Sequence, residues 1–172
     1  MKALKVFSLA LVLVAMIGGA TAFSTPSQAS VPPVMEFQTM APVMGPYVGT
    51  ANPIRGIDGG GLPWMITSAQ GILSSTGHLV VNVHGLVLAR EAPVPAQLQG
   101  TNPISDFKAV VSCRSIDSAG QPMIVNVSTG LFPATSTGDA HVDTRVTLPH
   151  TCVAPVIFVT SPTGAWFAST GN

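Results

Sequence analysis

The chain contains few charged residues. Asp, Glu, Lys and Arg make up 8% of its 172 residues, against about 25% in an average soluble protein. If Lys2 and Lys5 are removed with a cleaved leader, five basic residues remain against seven acidic ones. A mildly acidic chain with no basic stripe is not expected to bind nucleic acid, and nothing in it favours an anionic membrane surface.

The motifs of common catalytic sites are also missing. The sequence has no G-x-S-x-G nucleophile elbow, and no Lys-Ser/Thr pair follows the glycines at 59–61. Ser105 and Lys108 match S-x-x-K, but the segment begins a predicted strand, which sends the two side chains to opposite faces. We therefore assign no catalytic, metal-binding or cofactor-binding residue, and we favour a protein that is not an enzyme.

The N-terminus has the layout of a secretory signal peptide. Two lysines precede a short apolar run that ends in Ala20-Thr21-Ala22. We predict a leader over residues 1–22, with an alternative cleavage after residue 29. The apolar run is shorter than the 20 or so residues that a membrane span needs. We expect the mature chain to be extracellular, periplasmic or at the cell surface, with no transmembrane span after leader removal.

Cysteine is rare, with only Cys113 and Cys152 present. An even count in an exported chain favours a disulfide between them. Two separately buried thiols are the alternative.

A proline-rich segment follows the leader. The stretch from Phe23 to Pro53 contains one charge, Glu36, and no sustained period of two or 3.6, so we predict an extended tether rich in Pro, Ser and Thr over residues 23–55. Three methionines lie in it, Met35, Met40 and Met44, and thioethers suit copper(I). We favour an apolar segment lying on the domain over a copper site.

From residue 56 onward the pattern alternates with a period of two, which is typical of half-buried strands. The predicted inward set in three of the strands is Leu79, Val81 and Val83; Phe107, Ala109, Val111 and Cys113; and Met123, Val125 and Val127. A further strand puts Val142, Thr144, Val146 and Leu148 inward, and His141, Asp143 and Arg145 outward. Residues 71–74 and 78–89 predict a hairpin across residues 75–77, and the last two strands predict a closing hairpin.

Seven or eight short strands between Gly/Pro/Ser/Thr turns predict an all-β fold over residues 56–172. We expect a single antiparallel β-sandwich, immunoglobulin-like or of a similar Greek-key type, with a small β-barrel as the alternative.

Two other kinds of site remain open. Asp139, His141 and Asp143 are the residues on which a small secreted hydrolase or metal-dependent enzyme would depend, with His84 or His150 as a further ligand. His78 and His84 share a strand face, but six strand residues span about 20 Å. A carbohydrate-binding module would use Trp64, Trp166 and Tyr47 as stacking platforms, although a Trp beside Gly-Leu-Pro favours the core.

Several segments resemble uncharacterised secreted bacterial proteins. The resemblance rests on residues 59–64, 77–88, 109–113 and 154–167. It implies a secreted β-sandwich and brings no activity, substrate or catalytic residue with it.

Taken together, the sequence predicts a secreted, non-enzymatic β-domain with a binding or structural role at the cell exterior. The partner is either an unknown extracellular ligand or a second copy of the chain, because few lysines guard the edges of the predicted sheets.

Overall fold

The structure is a computed structural model that describes residues 32–171. The predicted leader, residues 1–22 with the alternative cleavage after residue 29, lies outside the described residues. The first part of the predicted tether, residues 23–31, lies outside them as well.

Strands make up the regular structure of residues 32–171, together with one short 3₁₀ helix at Gly45–Tyr47. The strands are β1 (Pro33–Phe37), β2 (Ala41–Pro42), β3 (Trp64–Met65), β4 (Ser68–Ser74), β5 (His78–His84), β6 (Val87–Leu88), β7 (Asp106–Ile116), β8 (Pro122–Ser128), β9 (Phe132–Pro133), β10 (Ala140–Arg145), β11 (Val153–Thr160) and β12 (Trp166–Ser169). Ten of the strands lie within residues 56–171, where seven or eight short strands were predicted, and seven of these ten have four or more residues.

Two antiparallel sheets hold most of these strands. The four-stranded sheet has the order β1-β4-β5-β10, and the six-stranded sheet has the order β2-β12-β11-β7-β8, with β9 paired to β7. Strands β3 and β6 form a separate pair. The sheets are not closed into a barrel, so the fold is the predicted β-sandwich and not the alternative small barrel.

The core lies between the two sheets and follows the period of two. Leu79, Val81 and Val83 of β5 are buried, while the residues between them are partly exposed. Phe107, Ala109, Val111 and Cys113 of β7 are fully buried. The predicted hairpin of β4 and β5 and the closing hairpin of β11 and β12 are both present. Alternation therefore identified the inward faces of these strands correctly.

The predicted tether is wrong for the part that the structure describes. Strand β1 pairs with β4, and β2 pairs with β12, so the segment contributes a strand to each sheet. Phe37, Met40 and Val43 are buried in the core. Short strands of two and five residues carry too little alternation to be recognised, and their burial depends on partners more than 30 residues away. The sandwich therefore begins near residue 33 and not at residue 56.

The loop that follows β2 covers the outer face of the six-stranded sheet. Trp166 N donates a hydrogen bond to Asp58 O, and Gly60 N donates to Trp166 O. A side chain at Gly59 would meet the carbonyl of Tyr47, so the loop packs closely on itself here. Under this loop Phe158 and Trp166 are buried although they lie on the outer face of the sheet.

One predicted strand extension is also corrected. The second arm of the predicted hairpin, residues 78–89, is too long: β5 ends at His84, the chain turns at Gly85, and β6 pairs with β3 instead. Gly85 has a φ of 65°, a left-handed conformation that glycine adopts without steric cost and that ends the strand.

Candidate functional site

The outer face of the four-stranded sheet carries the polar groups that the sequence singled out. Asp139, His141 and Asp143 lie at or beside β10, and each contacts a different residue of β5. His78 Nε2 lies 2.8 Å from Asp143 Oδ1, and His84 Nδ1 lies 3.3 Å from Asp139 Oδ1. His141 Nδ1 lies 2.7 Å from Asn82 Oδ1.

These pairs lie side by side along the two strands and do not converge. In the register of β5 and β10, His141 is opposite Asn82 and Asp143 is opposite Val80. Alternate residues of a strand are about 6.6 Å apart, so Asp139 and Asp143 are separated by about 13 Å. Within residues 32–171 there is no group of three His, Cys, Asp or Glu side chains placed to hold a metal ion. Asp139, His141 and Asp143 therefore contact separate partners and do not form one cluster.

Asp139 anchors the turn before β10. Its Oδ2 accepts a hydrogen bond from Thr137 Oγ1 at 2.7 Å, and its Oδ1 accepts one from the Gly85 backbone N–H at 3.2 Å. The Thr137 bond is the largest cause that lowers the pKa of Asp139 below its ordinary value of 3.8. Desolvation opposes it, and the smaller effects of the bonds from Gly85, His84 and Thr135 lower the pKa further. The carboxylate thus ties two turns together, which is a structural task.

A shallow depression of about 260 Å³ lies beside these pairs on the same face. Its polar groups come from Glu36 of β1, Gln38 directly after β1, Gln70 of β4 and Asn82 of β5, and the rest of the lining is Gly71, Ile72 and Val80. Gln70 is opposite Asn82 in the register of β4 and β5, so the two amides stand next to each other. Amides offer both donors and acceptors. Sequence reasoning missed this group, because the partner strand of each amide is set only by the fold.

The aromatic residues named for carbohydrate binding are mostly in the core. Trp64 stacks on Phe167 with ring centroids 4.0 Å apart, and Trp64 and Trp166 are 3% and 2% exposed. Tyr47 is 46% exposed and lies 6.4 Å from the Trp166 ring. Two of the three predicted platforms are therefore closed to a sugar ring.

Cys113 and Cys152 form the predicted disulfide. Cys113 lies fully buried on the inner face of β7, and Cys152 immediately precedes β11 and is half-buried. The bond closes a loop with a sequence separation of 39 residues. It links the centre of the six-stranded sheet to the entrance of the neighbouring strand.

Arg55 fastens the covering loop to the six-stranded sheet at a bulge. The register of β11 against β7 shifts between Val153 and Val156, and Ala154 within this stretch has a φ of 46°. Arg55 Nη1 donates to the carbonyl of Ser112 and Nη2 to that of Ala154, both at 2.8 Å. Burial and, to a smaller extent, repulsion from Arg114 lower the pKa of Arg55. This guanidinium replaces ladder hydrogen bonds that the bulge interrupts.

Comparisons with models of protein families, with curated proteins and with solved structures gave no match to this chain. Among the residues that the structure describes, none lies in a helix with the length and apolar character for crossing a membrane.

Proposed function

We propose that this chain is a secreted β-sandwich without catalytic activity, which acts at the cell exterior by binding or as a structural component. The observation that carries the proposal is the arrangement of the outer face. Its three histidines each pair with a separate partner across β5 and β10, and the pairs do not share one reacting centre.

Two further features support an exterior location. The N-terminal residues have the leader layout, and the two cysteines of the chain are joined in a disulfide, which persists in oxidising compartments. A polar face with paired side chains on a disulfide-linked scaffold suits recognition of a ligand by hydrogen bonds.

Export is tested by expressing the full chain in a bacterial host and measuring the intact mass of the protein outside the cytoplasm. We expect a chain that begins at residue 23 or 30 and carries no alkylatable thiol under non-reducing conditions. The control is the Leu11→Arg/Leu13→Arg variant, which interrupts the apolar run and should stay in the cytoplasm. An uncleaved cytoplasmic wild-type chain with two free thiols would overturn the proposal.

The absence of catalysis is tested with nitrophenyl esters, phosphates and glycosides as substrates. The matched control is the Asp139→Asn/His141→Ala/Asp143→Asn variant, which removes the candidate catalytic groups. We expect the same turnover from both proteins, at the level of buffer. Turnover by the wild type that the triple variant loses would show that the outer face is an active site.

A further inference from the structure

Strand β8 is an edge of the six-stranded sheet that carries no charged residue and whose one proline, Pro122, is its first residue. It pairs with β7 on one side and is the last strand of the sheet on the other. The remaining edges are short or guarded: β2 has two residues, β1 begins with Pro33 and carries Glu36, and β10 carries His141, Asp143 and Arg145. Charges and prolines are the usual means by which edge strands avoid pairing with another chain.

The hydrogen-bond pattern shows which backbone groups of β8 point away from the sheet. Thr129 N donates to Ala109 O at 2.9 Å, directly after the strand. Because bonding alternates along an antiparallel pair, residues 123, 125 and 127 bond to β7, and residues 122, 124, 126 and 128 point outward. Within residues 32–171, no backbone–backbone hydrogen bond from another element reaches Ile124, Asn126 or Ser128. The Asn126 side chain lies on the face of the sheet, where its Nδ2 donates to the carbonyl of Arg55 at 3.0 Å and leaves the backbone edge open.

The side chains of β8 are only partly covered by the sandwich. Met123 and Ile124 are 43% and 42% exposed, and Val125 and Val127 are half-buried. Met123 therefore lies on the predicted face of β8, together with Val125 and Val127, but the sandwich does not cover its side chain. No charged residue occurs from Ser118 to Gly138, so nothing on this stretch repels an identical strand.

We propose that two copies of the chain associate by pairing β8 with β8 in antiparallel orientation, with the two-fold axis at Asn126. In this register Ile124 is opposite the partner's Ser128, and Asn126 is opposite the partner's Asn126. Every outward N–H and C=O of the three residues is then bonded. A register shifted toward Pro122 would leave a carbonyl unpaired, because proline has no N–H.

The same register explains why the partner that pairs with β8 is a second copy of the chain. Val125 becomes opposite the partner's Val127, so the half-buried valines of both strands form one aliphatic patch of cross-strand pairs. A two-fold contact requires a surface that is complementary to itself, and a neutral strand with Asn at its centre meets that condition. The association needs neither export nor an external ligand, so it goes beyond the proposed function and fails independently of it.

The first test is sedimentation velocity of the purified chain, with its disulfide formed, over a range of concentrations. We expect a dimer, and the Ile124→Pro variant should weaken its association at least tenfold. Proline at position 124 removes only an outward N–H, so the bonds to β7 remain and the urea midpoint should hardly change. The matched control is Val125→Pro, which removes a bond to β7 and should lower the midpoint. A wild type that is monomeric at all concentrations, or an Ile124→Pro variant that still dimerises, would overturn the proposal.

The second test fixes the axis and does not depend on proline. Asn126→Lys and Asn126→Asp each place like charges opposite one another, so each variant alone should be monomeric. An equimolar mixture of the two should restore the dimer, because opposite charges then meet at the axis. Failure of the mixture to associate, with both variants folded, would refute the pairing through Asn126.

Discussion

Breaking the disulfide is expected to remove a large part of the stability of the domain. The bond closes a loop of 39 residues, and the chain-entropy relation gives about 4 kcal/mol for a loop of this length. The free energy of unfolding of a domain of this size is about 5–15 kcal/mol. At roughly 2–4 °C per kcal/mol, the melting temperature should fall by about 8–16 °C.

The assay is urea unfolding followed by the fluorescence of Trp64 and Trp166, which are both buried and report on the core. Three samples separate the contributions: oxidised wild type, reduced wild type, and the Cys113→Ala/Cys152→Ala variant. Reduced wild type keeps both sulfur atoms, so its difference from the oxidised protein measures the cross-link alone. The double variant should be less stable than the reduced wild type, because Cys113 is fully buried and removal of its sulfur atom leaves a cavity.

The denaturant dependence provides an independent check. Without the cross-link the unfolded chain exposes more surface, so the m-value should rise on reduction. A difference below about 1 kcal/mol between oxidised and reduced protein would refute the loop-closure reasoning for this domain, whose calculated value is about 4 kcal/mol.

Three further changes test the loops that hold the sheets. Gly138→Ala should lower the free energy of unfolding, measured in urea, by more than about 1 kcal/mol, because φ is 79° and the added Cβ would meet the carbonyl of Leu86. Gly130→Ala, which meets nothing within 4 Å, is the control, and equal losses would contradict the steric reason. Arg55→Ala should lower the free energy of unfolding by about 2 kcal/mol, because two charge-assisted hydrogen bonds are lost. The stability of Arg55→Lys should lie between those of Arg55→Ala and wild type. An unchanged urea midpoint for Arg55→Ala would show that the two bonds are not needed for stability. Because the folded pKa of Asp139 lies below 3.8, its carboxylate stabilises the fold above that pH, and the contribution is lost as the pH falls through the folded pKa. The stability difference between wild type and Asp139→Asn should therefore be present at pH 7 and shrink below pH 4, and a pH-independent difference would contradict this assignment.

Much of the fold was predictable because strand alternation is local. The inward residues of β5 and β7 are where a period of two places them, and Cys113 belongs to one of these inward sets. Its partner Cys152 followed from the even count of cysteines in a chain with a predicted export leader. The hairpin of β4 and β5 was recognisable because a short turn at residues 75–77 joins two alternating segments.

The candidate site was predictable only as a set of residues. His141 and Asp143 were correctly placed on the outward side of one strand, and Asp139 lies immediately before that strand. What each of them contacts depends on the register of β10 against β5, which brings Asn82 opposite His141. Arg55 could not be identified, because its carbonyl partners are 57 and 99 residues away in the sequence.

The sequence by itself determined most of the longer strands after residue 56, which of their faces turn inward and which cysteines are available to pair. These properties depend on side-chain chemistry repeated every second residue, and they are present before any long-range contact forms. Only the tertiary structure decided that residues 33–60 belong to the sandwich and cover it, that the histidines separate into pairs, and that β8 ends a sheet. Strand order and register are set by contacts between distant segments, and no local period records them.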